Sequence, residues 1–139
     1  MTTQPPTMQI DTVVVEENEP DECFTVGMAE QQGEGHQLII QISLYEPDDQ
    51  DEQLGLDTYC VMAESGATHY GGIEEAVLTG NTLRLSFTEE ATSGLGLPSP
   101  SLTLHLDVPD DDVAALASGL RRALTYGNPE QHPQHIELT

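Results

Sequence analysis

The chain has 139 residues and carries 25 acidic side chains against three basic ones, Arg84, Arg121 and Arg122, with no lysine, for a formal net charge of −22. Solubility alone asks for a net charge of magnitude roughly 2–8 in a small domain, and the excess costs stability through self-repulsion. Phosphate contact needs clustered Lys and Arg, so nucleic acid and anionic membrane are excluded as partners, and no apolar run approaches the roughly 18 residues of a membrane-spanning helix.

Three sources of such acidity are open: a basic partner, a salty cytoplasm, or bound cations. A chain of this length forms one domain, residues 1–139, and can bury roughly two-thirds of its extended surface without staples. The start, Met1-Thr2-Thr3-Gln4-Pro5-Pro6, has no basic region and no apolar run, so no signal peptide is expected and the cytoplasm is the default location. In that compartment Cys23 and Cys60 read as free thiols, each inside an apolar, strand-like run.

Residues 1–7 are expected to be a flexible start. Met8 to Val15 reads as a strand, broken by the acidic stretch Glu16 to Glu22, in which Pro20 cannot join a ladder. A second strand, Cys23 to Glu30, sets Phe24, Val26 and Met28 on one face. After the turn Gly33-Glu34-Gly35 comes a period of two, with Leu38, Ile40, Ile42 and Leu44 inward and Gln37, Gln41 and Ser43 outward. Ile39 is the exception. Glu46 to Glu52, with five carboxylates, reads as a solvated loop. Asp57 to Ala63 is apolar on both faces and fits a central strand covered on both sides. Ile73–Leu78 and Leu83–Thr88 predict a hairpin about Gly80-Asn81. A Gly/Pro/Ser-rich connection, Ser93 to Ser99, leads to a last strand with Leu102, Leu104 and Leu106 inward.

The pattern then switches to helix over Val113–Tyr126. Asp110, Asp111 and Asp112 favour its N-terminus, and Arg121 and Arg122 its last turn. Val113, Leu116, Leu120 and Leu124 form one apolar stripe, and Gly127 with Pro129 ends it. The polar remainder, 128–139, is expected to be a flexible end. The predicted class is α+β: a mainly antiparallel β-sheet of about six to seven strands with one C-terminal amphipathic helix.

Chemistry-bearing patterns are sparse. The acidic loop lacks the sixth-position glycine of a calcium-binding EF-hand loop, since Leu54 stands there when the count starts at Asp49. His132 and His135 flank Pro133 in a polar tail with no third ligand nearby, so neither metal nor cofactor is expected. Cys60 with His69 could serve nucleophilic catalysis, but no elbow or oxyanion glycine pattern surrounds Cys60. No catalytic residue is assigned. Gly33-Glu34-Gly35 opens a strand, which excludes a dinucleotide fingerprint.

The central stretch Asp57-Thr58-Tyr59-Cys60-Val61-Met62-Ala63-Glu64-Ser65-Gly66-Ala67-Thr68-His69-Tyr70-Gly71-Gly72 resembles immunity protein family ten of bacterial polymorphic toxin systems. Phe24 to Ala29, Leu38 to Leu44 and Leu116 to Leu124 are similar to that family's early strand, following strand and terminal helix. The resemblance spans roughly Phe24 to Leu124. It implies a cytoplasmic protein that binds and neutralises a cognate toxin, and it carries over no catalytic residue; the missing catalytic motifs predict no enzymatic activity of the chain's own. The toxin's chemistry is open, with a basic nuclease-type domain one candidate; a homodimer is also left open. On that reading Tyr45 with Asp48, Asp49, Asp51 and Glu52 is the leading partner-binding patch, and Tyr70 beside His69 the second. Two other readings stand beside it: an acid-adapted domain from a high-salt cytoplasm, and a small ligand binder near Tyr59, Cys60, His69 and Tyr70.

Overall fold

The computed structural model describes residues 7–20, 22–30, 35–55 and 57–138. Among them ten strands form two five-stranded sheets, with three α-helices between. The α+β class therefore stands, while the expectation of one sheet of six or seven strands with one helix is corrected. The meander sheet runs β2 (Thr12–Asn18), β3 (Cys23–Ala29), β4 (Gln37–Ser43), β5 (Cys60–Ala63) and β6 (Thr68–Tyr70), every neighbour antiparallel. The mixed sheet is ordered β1 (Thr7–Ile10), β9 (Ser101–Leu106), β8 (Thr82–Phe87), β7 (Ile73–Thr79) and β10 (His135–Leu138). Its two outer pairs, β1 with β9 and β10 with β7, are parallel.

The run read as one strand from Met8 to Val15 is two strands in different sheets. Asp11 is the crossing point: its N–H donates to the Ala29 carbonyl at 3.1 Å, while the Ile10 carbonyl just before it accepts from Asp107 N–H at 2.7 Å. The polar tail is also structured. His135–Leu138 lies parallel to Glu75–Leu78, and Leu138 is buried. The start expected to fray lies outside the described residues except for Thr7, as do Gly33, Glu34 and the last residue, Thr139.

Inner faces of both sheets share one core. Leu83, Leu85, Leu104 and Leu106 come from the mixed sheet, Val26, Met28, Leu38, Ile40 and Val61 from the meander. Helix α3 (Asp110–Leu124) closes it. Leu116, Leu120 and Leu124 are buried as the stripe predicts, while Val113 is only partly buried. The helix lies so close to β2 and β3 that a Cβ on Gly119 would stand 2.9 Å from Val15 Cγ1 and 3.2 Å from Val26 Cγ2. Glycine is the residue that permits this approach. At the helix end Arg122 lies 4.2 Å above the Phe24 ring and 2.6 Å from Glu17, and Arg121 donates to the Leu138 carbonyl at 3.2 Å.

The stretch that carries the family resemblance is where the chain passes from one sheet to the other. Tyr59 is fully buried. Its phenol oxygen accepts from Ile73 N–H at 2.9 Å and faces the carbonyls of Gln131 at 3.3 Å and Ile73 at 3.4 Å. Burial pushes that phenol up to about 12, so it stays protonated and keeps its donor. Gly71 and Gly72 then turn from β6 into β7 at φ 73° and 95°, in the left-handed region. A side chain at Gly71 would collide with Gln131, and one at Gly72 with Ala91. Tyr59, Gly71 and Gly72 are thus architectural.

Candidate functional site

The acidic segment expected to be a solvated loop contains a helix, α1 (Asp49–Leu54). Asp48 caps it: its carboxylate accepts from Asp51 N–H at 2.8 Å, and Asp51 accepts from Asp48 N–H at 3.2 Å. This reciprocal box satisfies two backbone donors. Two of the four predicted loop acids therefore serve the helix first. Asp49 and Glu52 are exposed, and α1 buries no residue at all.

Tyr45, which leads into α1, is 61% exposed. Its carbonyl accepts from the Tyr126 hydroxyl at 2.8 Å, tying the segment to the end of α3. Beside it a groove of about 460 Å³ is lined by carboxylates from Glu46, Glu52, Asp57 and Glu130.

Tyr70 joins this surface across the sheet. It stands on the outer face of the meander opposite Cys60, and it lines a cup of about 340 Å³ with Tyr126, Asp51, Glu22, Gln41 and Cys60. Burial raises both the Cys60 thiol and the Tyr70 phenol above their ordinary values; the hydrogen bond between them raises the phenol further and partly offsets the rise of the thiol. A thiol so raised stays protonated and is a poor nucleophile near neutral pH.

His69 does not join the surface. Strand residues alternate between faces, so the neighbour of outward Tyr70 points inward. Its ring Nδ1 lies 3.2 Å from the Gly71 carbonyl, and the ring packs against Gly72 and Gly94 of α2 (Glu89–Leu95). Cys60 and His69 are accordingly on opposite faces of the sheet. The structure thus unites Tyr45, Asp48, Asp49, Asp51, Glu52 and Tyr70 around one end of the meander and leaves His69 behind it.

Sequence reasoning missed the rest of that outer face. The register aligns Val14, Gly27, Ile39, Met62 and Thr68 in one row across all five strands. Asp57–Ala63 was expected to be covered on both sides, but β5 buries only Val61 and Ala63, and Cys60 and Met62 remain half-exposed. Val14 is 40% exposed. The signal was present: Ile39 is the apolar residue that breaks the alternation of β4.

Charge sorts the same way. Arg121 and Arg122 are held on α3, and Arg84 lies on the outer face of the mixed sheet. No arginine stands on the outer face of the meander. Among the described residues, the exposed large hydrophobic side chains are Val14, Tyr45, Leu54 and Tyr70, all from the meander sheet or the segment that follows β4. No group of three or more His, Cys, Asp and Glu among the described residues is arranged to hold a metal ion.

No curated protein and no solved structure matches the chain. A family model does match, over residues 9–114, described as immunity protein 10. The match takes in both sheets except β10 and the first half of β1, and stops just past the first turn of α3, so the Leu116–Leu124 stretch that resembles the family's terminal helix lies beyond it. Most of the chain falls inside the matched region, and the protein belongs to the immunity protein 10 family.

Proposed function

We propose that the chain binds and neutralises a cognate toxin in the cytoplasm, through the acidic surface formed by Tyr45, α1 and Tyr70. The observation that carries this reading is the coincidence of two asymmetries. The exposed large hydrophobics and the acids of α1 share one side of the molecule, and the three arginines lie elsewhere. Interfaces draw their affinity from a few desolvated anchors, aromatic ones prominently, while surrounding charges steer the encounter. Tyr45 and Tyr70 supply the anchors. The cup between Tyr70 and Tyr126, with Asp51 and Glu22 at its wall, suits a basic side chain of the partner. Inhibition by occlusion needs no catalysis by the inhibitor.

Co-expression with the toxin domain encoded beside the gene tests this. Cells are expected to survive with the wild-type chain and to die without it. Binding of the purified pair should weaken as salt rises. Survival that does not depend on the chain would remove the reading. The acid-adapted alternative rests on the same net charge of −22. It predicts a chain that is unfolded at low salt and folds only at high salt, which circular dichroism reads directly.

A further inference from the structure

Gly27 occupies the middle of β3, a central strand with β2 on one side and β4 on the other. Glycine is disfavoured there: it packs nothing and leaves the strand backbone less constrained. Nothing inside the fold requires it. Its φ is not in the positive region. A Cβ would stand 3.7 Å from Val14 Cβ and 4.0 Å from Ile39 Cγ1, which is ordinary contact. The glycine therefore leaves a notch on the outer face between Val14 and Ile39. Val14, Ile39 and Met62 belong neither to the buried core nor to the partly buried side chains packed against it, so the apolar row they form lies outside that core. A glycine inside a strand that is demanded by neither turn nor bulge marks a place where something outside approaches closely.

We propose that the Gly27 notch receives a protruding apolar side chain of the toxin, seated in a basic protein surface. This rests on the reading as an immunity protein and deepens it by naming the contact. Charge selects the occupant. The outer-face row next to the notch runs Glu16, Thr25, Gln41, Cys60 and Tyr70, with Glu22 and Asp51 beyond it at the cup and no basic residue among these positions. A basic surface placed over this face meets carboxylates at Glu16 on one edge and at Asp51 on the other. The same row ends at Tyr70, so the notch is continuous with the acidic surface around α1. An apolar centre with a polar surround and carboxylates at its edges is the arrangement in which a few contacts carry the affinity and the periphery excludes water.

Filling the notch tests the proposal. Gly27→Val supplies a residue favoured in strands, so its melting temperature is expected at or above that of the wild type. Its affinity for the purified, catalytically inactivated toxin domain encoded beside the gene is expected to fall at least about tenfold. Thr103→Val, on the outer face of the mixed sheet, is expected to leave affinity unchanged. If Gly27→Val does not fold, Ile39→Thr keeps a β-branched residue at the wall of the notch and is expected to lose about fivefold or more. Unchanged affinity in a folded Gly27→Val or Ile39→Thr protein overturns the notch while leaving the immunity reading intact. A wild-type chain that neither binds that domain nor protects against it overturns both. A wild-type dimer in sedimentation that Gly27→Val converts to a monomer gives the notch to a second copy of this chain and overturns the proposal.

Discussion

The two sheets are built alike inside and differently outside. Inward, both present an aliphatic row at every second position: Leu83, Leu85, Leu102 and Leu104 in one, Val26, Met28, Leu38 and Ile40 in the other. Outward, the mixed sheet shows Thr82, Ser86, Ser101, Thr103 and His105 around Arg84, with Val77 a single apolar residue among them and Thr82 and His105 within 3.4 Å of each other. The meander shows Val14, Gly27, Ile39 and Met62 instead. The inner face of a sheet answers to the core, so its composition is dictated by folding. The outer face answers to whatever meets it. Threonine and serine suffice where that is water, and an apolar row is informative because folding does not ask for it.

The largest expected effect separates inner from outer. Leu120 is fully buried on α3 against the inner face of the meander, and Leu120→Ala should cost roughly 2–5 kcal/mol of stability. Met62 stands on the other face of the same sheet, half-exposed, and Met62→Ala should cost about 1 kcal/mol or less. Denaturant unfolding of the two variants side by side measures the difference. Equal losses would mean that the outer row belongs to the core, and the contrast between the sheets would collapse.

Much of the inner architecture was legible because period-two alternation survives in Leu38–Leu44, Leu83–Thr88 and Leu102–Leu106, and the three-four spacing survives in α3. The missed elements lack such periods. β10 has only Ile136 and Leu138 to show, and it exists because β7 offers it a parallel edge. α1 has no apolar face, and its one readable mark was the Asp48-to-Asp51 spacing of its cap. α2 hid behind a Gly/Ser-rich composition, with Thr88 as its cap and Glu89 and Glu90 in its first turn. The split at Asp11 was invisible because both halves of Met8–Val15 are apolar strands, and only pairing partners distinguish them. For the candidate site, Tyr45, Tyr70 and the acids were legible singly. Their meeting was not, because it depends on the β5–β6 register that turns Tyr70 outward and His69 inward. Gly27 carried no signal in the sequence, since a glycine in a strand is informative only once its neighbours are known to leave room for it.

A middle-sized effect concerns steering. Neutralising all the acids of α1 would confuse two causes, because replacing Asp48 removes a cap worth about 1 kcal/mol. Asp49→Asn with Glu52→Gln leaves the capping box intact. This pair should slow association with a basic toxin several-fold at low salt and flatten the salt dependence. Stability should stay within about 0.5 kcal/mol. Glu75→Gln with Glu137→Gln, on the mixed sheet, removes the same charge from the other side and should change the association rate less. Equal slowing by both pairs would show that only total charge matters and that the acidic end of the meander has no special place in the encounter.

The smallest expected effect lies at an edge where the two sheets approach. His36 enters β4, and its ring Nδ1 pairs with the Glu64 carboxylate just after β5, while its N–H donates to Glu30 at 3.2 Å. Both side chains are largely exposed, at the mouth of a hollow of about 120 Å³ lined by Met8 and Leu102 of the mixed sheet and Leu38 and Ala63 of the meander. The hydrogen bond and the charge of Glu64 raise the His36 pKa above its ordinary 6.5, with Glu30 adding to the rise. A group whose pKa is higher in the folded state stabilises that state fully below the unfolded value and loses the contribution as pH rises through the folded one. Stability should therefore decline slightly from about pH 6 upward through the raised His36 pKa, by about 0.5 kcal/mol or less, since solvent screens an exposed pair. Glu64→Gln should flatten this part of the profile, and Thr103→Val should not alter it. If Glu64→Gln leaves the slope intact, the titration belongs to another group, and the His36–Glu64 pair contributes nothing measurable to joining β4 and β5.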